Sequence, residues 1–211
     1  MLRFKSFIAV IFFSLSIFSL ASSAISPVDQ VVLLGSSSIA NWPKTKHAPL
    51  ARFGRQVINL GLGSTGTAYV QEMLSRVVEL NPKTIILYTG ENDIVDLSER
   101  ADSVASKLID QLNRFSQLLP STKVIYISCK PSPSRQDYLE EFKVVNSLVS
   151  TFIEKAASAN LVYIDVFSPM LDANQFPRVD LYVQNDPLQT DLLHMNDKGY
   201  DLWLQLLSQS M

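Results

Sequence analysis

A three-layer α/β/α domain, one parallel sheet of five strands with helices on both faces, is the fold the sequence predicts, and three observations predict it. Five short runs rich in Val, Ile, Leu or Tyr recur along the chain. Amphipathic stretches of helical period fall between them. No linker, repeat or low-complexity tract breaks the alternation after residue 24. Strand, helix and strand in that order call for right-handed crossovers, hence parallel neighbours covered on both faces.

The first 24 residues stand apart. Arg3 and Lys5 precede an uncharged apolar stretch, Phe7 to Leu20, that ends in Ala21-Ser22-Ser23-Ala24. This pattern predicts a secretory signal peptide cut after Ala24, and its apolar core is shorter than the ~20 residues of a membrane span. The expected location is therefore secreted or periplasmic, with no stable membrane span after cleavage and a single domain over residues 25–211. No Cys lies near the cut, which argues against a lipoprotein.

The expected strands are Val31 to Gly35, Val57 to Leu60, Thr84 to Thr89, Lys123 to Ser128 and Leu161 to Val166. The expected helices are Thr67 to Leu80, Ser98 to Leu118, Asp137 to Asn160 and Asn196 to Ser210. In the first helix, Val70, Met73, Leu74 and Val77 repeat at three and four residues, as one buried face requires, and Asn81-Pro82 stops it. Val104, Leu108, Leu112, Phe115 and Leu119 repeat likewise, followed by Pro120. Ser168 to Thr190 has no clear period and is too long to be idle. It contains Phe176, Tyr182 and Pro187 and reads either as a wall of the binding site or as a surface loop.

Composition narrows the function. The chain has 211 residues, 47% hydrophobic and 18% charged, with a net charge of −2. It carries no basic stripe, so neither nucleic acid nor an anionic membrane is expected as a partner. Cys129 is the only cysteine, which excludes an internal disulfide, and its place after an apolar run suggests a buried thiol. One Cys and two His cannot assemble a structural zinc site from the usual ligands. His47, in a polar stretch, reads as a surface residue.

Four stretches at strand ends carry candidate chemistry. Val31 to Gly35 runs straight into Ser36-Ser37-Ser38, so a serine sits at a strand-to-helix turn, where α/β sheets present ligand-binding groups. The same serines could simply cap a helix. The second strand leads into Gly61-Leu62-Gly63-Ser64-Thr65-Gly66, which has dinucleotide-fingerprint spacing but lies on the second turn instead of the first. Its glycines could equally serve a tight turn, or its amides could face the serine's crevice and receive an oxyanion. The third strand ends in Gly90-Glu91-Asn92-Asp93, where Asn92 can aim its NH₂ across the crevice while Asp93 bonds locally. Near the carboxyl end, Asp191 and His194 lie three residues apart, so the carboxylate can hold one imidazole nitrogen and leave the other free for a proton.

Taken together, these stretches resemble the SGNH, or GDSL-type, hydrolase superfamily. Gly35-Ser36-Ser37-Ser38-Ile39 with Trp42 is similar to the nucleophile block of the branch that carries Gly-Ser-Ser-Ser. Gly90-Glu91-Asn92-Asp93 is similar to its Gly-x-Asn-Asp block, and Asp191-Leu192-Leu193-His194, with Met-Asn-x-x-Gly-Tyr following, to its carboxyl-terminal Asp-x-x-His block. Ser128 to Arg135 also resembles what that branch carries after its fourth strand. Two departures stand out: Ser36 replaces an Asp, and Ser64 stands where a glycine is usual, a position whose backbone conformation suits serine poorly.

The resemblance implies a flavodoxin-like sheet and an esterase that needs no cofactor and no metal. It implies Ser37 as nucleophile, His194 as base and Asp191 as its orienting acid. The oxyanion would be received by the Ser37 N–H, the Ser64 N–H and the Asn92 side chain, with Gly63 able to replace Ser64 if the turn shifts by one. The expected substrate is a small ester, an acetylated carbohydrate or a short-chain lipid ester. Two rival readings are acyl transfer to a sugar hydroxyl on the same triad and a non-catalytic carbohydrate-binding or scaffold protein. The sequence does not specify the oligomeric state.

Overall fold

The aliphatic run Val31-Val32-Leu33-Leu34 has no polar face because neither of its faces meets solvent. It forms the centre of β1 (Val28–Gly35) in the computed structural model, which describes residues 27–156, 158–184 and 191–209. The other strands are β2 (Gln56–Gly61), β3 (Pro82–Tyr88), β4 (Lys123–Ile127) and β5 (Leu161–Ile164). Their order is β2-β1-β3-β4-β5, with every pairing parallel, which is the flavodoxin-like order.

Successive strand side chains point to opposite faces, and two cores follow. Val32 and Leu34 join Ile85, Leu87, Val124 and Tyr126 on one face, beneath α2 (Thr67–Leu80), α4 (Ala101–Leu118) and α5 (Leu139–Ala156). Val31 and Leu33 join Ile86, Tyr88, Ile125 and Ile127 on the other, against α1 (Ser37–Ala40) and α6 (Asp197–Gln209). Trp203 is fully buried in this second core and meets Tyr88 at 4.9 Å between ring centroids.

Several expected boundaries move, each for a local reason. The helix expected from Ser98 begins at Ala101, preceded by the separate α3 (Glu91–Val95), because Ser98 takes a left-handed φ of 54° that no helix continues through. The helix expected from Asp137 begins at Leu139, after a 3₁₀ segment, Pro133–Tyr138, that is kinked at Arg135. β5 stops at Ile164 instead of Val166 because the Val166 N–H turns to the Ser128 hydroxyl, 2.9 Å away. α2 ends where expected, with Asn81 left-handed at φ 42° beyond its last residue. The long stretch from Ser168 holds two 3₁₀ turns, Ser168–Met170 and Val179–Leu181. The expected signal segment, Pro187 and Ser210 lie outside the described residues.

Candidate active site

Three chain segments meet at the carboxyl ends of β1, β2 and β3, and a fourth, the Asp191–His194 turn, is hydrogen-bonded to Ser134 beside the Arg135 that holds Asn92. Gly35 ends β1 at a φ of 142°, and a Cβ there would stand 1.8 Å from the Tyr88 carbonyl, so only glycine lets β1 close onto β3 at this point. The Ser36 N–H then donates to the Tyr88 carbonyl over 3.1 Å, and α1 starts at once with Ser37. Ser36 occupies the cap position, but its side chain makes no capping bond. Ser37 is half-buried, while Ser38 is buried beneath it.

The β2 turn is tied to the same place. The Leu62 N–H donates to the Gly35 carbonyl at 2.9 Å, and the Asn59 carboxamide donates to the Ile39 carbonyl at 2.8 Å. Ser64 adopts φ 59°, the left-handed conformation expected of a glycine, with its side chain in solvent. The dinucleotide reading of this turn fails on one contact. Where a pyrophosphate would meet the helix N-terminus, α2 already holds the Asp93 carboxylate, which accepts from the Thr67 N–H at 3.0 Å and from its hydroxyl at 2.6 Å. Asp93 thus reaches a different segment instead of bonding locally as expected.

Asn92, which is 7% exposed, bridges two more segments. Its Nδ2 donates to the Thr65 carbonyl at 2.8 Å, and its Oδ1 accepts from Arg135 Nη1 at 2.9 Å. Behind it lies a buried ion pair, Lys130 Nζ to Glu91 at 3.2 Å, with the Tyr88 hydroxyl donating to the same carboxylate. Burial pulls the Lys130 ammonium below its ordinary value, against the upward pull of Glu91. The Cys129 thiol beside this pair is fully buried, and burial together with the Glu91 charge raises its pKa to about 12. It is therefore no nucleophile at neutral pH.

Near the carboxyl end, the short turn spacing has the expected result. Asp191 Oδ2 meets His194 Nδ1 at 2.5 Å, and Asp191 Oδ1 accepts from the Leu193 and His194 backbone N–H groups at 2.9 and 3.1 Å. Partial burial raises the Asp191 carboxyl, but the bonds from the His194 ring and these two N–H groups outweigh it and hold the carboxyl below its usual value. The turn is braced on two sides, by Val183 N–H to the His194 carbonyl at 2.9 Å and by Ser134 N–H to the Leu192 carbonyl at 3.4 Å. Tyr182, buried in the long loop, packs its ring over Lys130 and donates its hydroxyl to the Pro131 carbonyl. That loop therefore backs the His194 turn, whereas Phe176 is exposed.

The last helix and the serine turn are joined by the Tyr200 hydroxyl, which donates to the Ser38 carbonyl at 2.9 Å. Among the described residues no hydrogen bond joins Ser37 to His194. Among the same residues the N–H groups of Ser37 and Ser64 have no acceptor. His47, expected at the surface, is partly buried, with Nε2 enclosed and unpartnered and its pKa lowered by burial and then by Lys44. A groove of about 640 Å³ between α2 and α4, lined by Gln71, Lys107, Gln111 and Arg114 among others, contains none of the site residues. Among the described residues no cluster of His, Cys, Asp and Glu could hold a metal ion, and no helix is long and apolar enough to cross a membrane.

Residues 33–202 match the family described as GDSL-like lipase/acylhydrolase. The chain belongs to that family. Members of the GDSL-like family are acylhydrolases and esterases, and solved structures repeat the fold. A GDSL-like lipase from Bacteroides thetaiotaomicron superposes with a TM-score of 0.65 at 18% identity, covering 88% of this chain and 90% of its own. The lipase/acylhydrolase from Enterococcus faecalis gives 0.61 at 22%, over 86% and 94%. A carbohydrate esterase family 3 protein from Talaromyces cellulolyticus gives 0.60 at 16%, over 85% and 94%. No curated protein matches the sequence.

Proposed function

We propose that this GDSL-like acylhydrolase cleaves small carboxylic esters through an acyl-enzyme on Ser37. The observation that carries the reading is the 2.5 Å contact between Asp191 and His194 Nδ1, which leaves Nε2 as the ring's free nitrogen. His194 Nε2 takes the Ser37 hydroxyl proton as Oγ bonds to the ester carbonyl carbon. The carbonyl oxygen becomes an oxyanion held by the Ser37 N–H, the Ser64 N–H and the Asn92 Nδ2–H, each such donor being worth ~3 kcal/mol in the transition state. The imidazolium returns its proton to the departing alkoxide as the C–O bond breaks. Water then attacks the acyl-enzyme with His194 again as base, which releases the acid and restores Ser37.

The substrate class is a short acyl group on a carbohydrate or a small lipid. We place the protein outside the cytoplasm, on the strength of the charged, apolar and small-residue pattern of residues 1–24. Ser37→Ala is expected to lower kcat for a short-chain aryl ester by on the order of 10,000-fold while the circular dichroism spectrum is unchanged. Undiminished turnover would remove Ser37 from the scheme.

A further inference from the structure

An asparagine carboxamide can be turned over with little change in shape, and only its partners decide which end faces the crevice. For Asn92 both partners are single-minded. Arg135 is a donor only, and it stands 2.9 Å from Oδ1; the Thr65 carbonyl is an acceptor only, and it stands 2.8 Å from Nδ2. Turning the amide over would set two donors against each other at one end and two acceptors at the other. The observed orientation leaves Nδ2 with one further N–H to give.

Arg135 is itself built into place. Its backbone leaves helical geometry at φ −126°, ψ 25° within the 3₁₀ segment after β4, and its side chain runs inward to 8% exposure. Nη2 is anchored by the Asp96 carboxylate at 3.1 Å, one turn beyond Asn92. A charged donor on the carboxamide oxygen also draws electron density from the amide and strengthens its N–H groups as donors.

We infer that Arg135 is a positioning residue for catalysis: it locks the Asn92 carboxamide with its N–H toward the oxyanion and polarises it. The inference rests on the reading of Asn92 as an oxyanion donor. Its signature is a loss of kcat that depends on Asn92 being present.

The test is a double-mutant cycle on the full-length protein with a short-chain aryl ester. Asn92→Ala should lower kcat on the order of 100-fold. Arg135→Met should lower it on the order of 10-fold with KM changed by less than about twofold, and Arg135→Lys should recover part of that loss. In the Asn92→Ala background, Arg135→Met should cost less than about a further twofold. A loss that multiplies in full in that background, or one confined to KM, would overturn the inference by assigning Arg135 a structural or substrate-binding role. Should Arg135→Met not fold, Arg135→Lys and Asp96→Asn complete the cycle on the same criterion. The Asn92 side-chain NH₂ resonances supply a readout apart from turnover, and they should move in Arg135→Lys; unmoved resonances would count against the lock. If Asn92→Ala leaves kcat unchanged, the oxyanion reading of Asn92 fails first, whereas a 100-fold loss there with none in the Arg135 variants sinks the Arg135 inference alone.

Discussion

Asp191 is pulled two ways, up by partial burial and down by three hydrogen bonds, and the bonds prevail. A carboxyl whose folded value is lowered stabilises the fold at pH above its unfolded value of ~3.9, and that contribution is lost as pH falls through the lower folded value. A carbon-13 NMR titration should therefore place the Asp191 midpoint below ~3.9, and His194→Ala should shift it upward, because burial then faces only the two backbone donors. A midpoint indifferent to His194 would deny the pairing. At this scale the sequence was legible where partners lie within one turn, as Asp191 and His194 do. It was silent on Arg135 and Asn92, 43 residues apart, and on Lys130 and Glu91, 39 apart, because no local spacing marks a partner on another element.

Elements meet at the site through close approaches that admit no side chain. At Gly66 an added Cβ would lie 2.5 Å from Asp93 Oδ2, the carboxylate that holds the start of α2, whereas at Gly63 in the same turn it would meet nothing within 4 Å. Gly66→Ala is expected to cost roughly 1–3 kcal/mol in urea unfolding and Gly63→Ala less than about 0.5 kcal/mol. Equal costs would mean that the Gly66 contact carries no constraint. α2 could be read from sequence to the residue, since Val70, Met73, Leu74 and Val77 state its period and Asn81-Pro82 its end. The break between α3 and α4 could not. It turns on Ser98 at φ 54°, and serine gives no local sign of a left-handed turn.

Over the whole molecule, the alternating faces of a parallel sheet explain both the apolar strands and the position of the site. β1 and β3 are buried on both sides, so polar groups gather where the strands end: Ser37, Ser64 and Asn92 follow the carboxyl ends of β1, β2 and β3, and the 191–194 turn is hydrogen-bonded to Ser134, the neighbour of the Arg135 that holds Asn92. The parallel pairing follows from the layer rules, because strand and helix alternate along the chain, whereas the order β2-β1-β3-β4-β5 is the one the resemblance implied. What decides catalysis is whether the serine at that edge is activated. The most direct measurement is to treat the protein with an aryl phosphonate ester and map the adduct by mass spectrometry. The account predicts a single adduct on the peptide that contains Ser37, absent from Ser37→Ala and formed far more slowly in His194→Ala. No adduct, or one on a serine elsewhere in the chain, would contradict it.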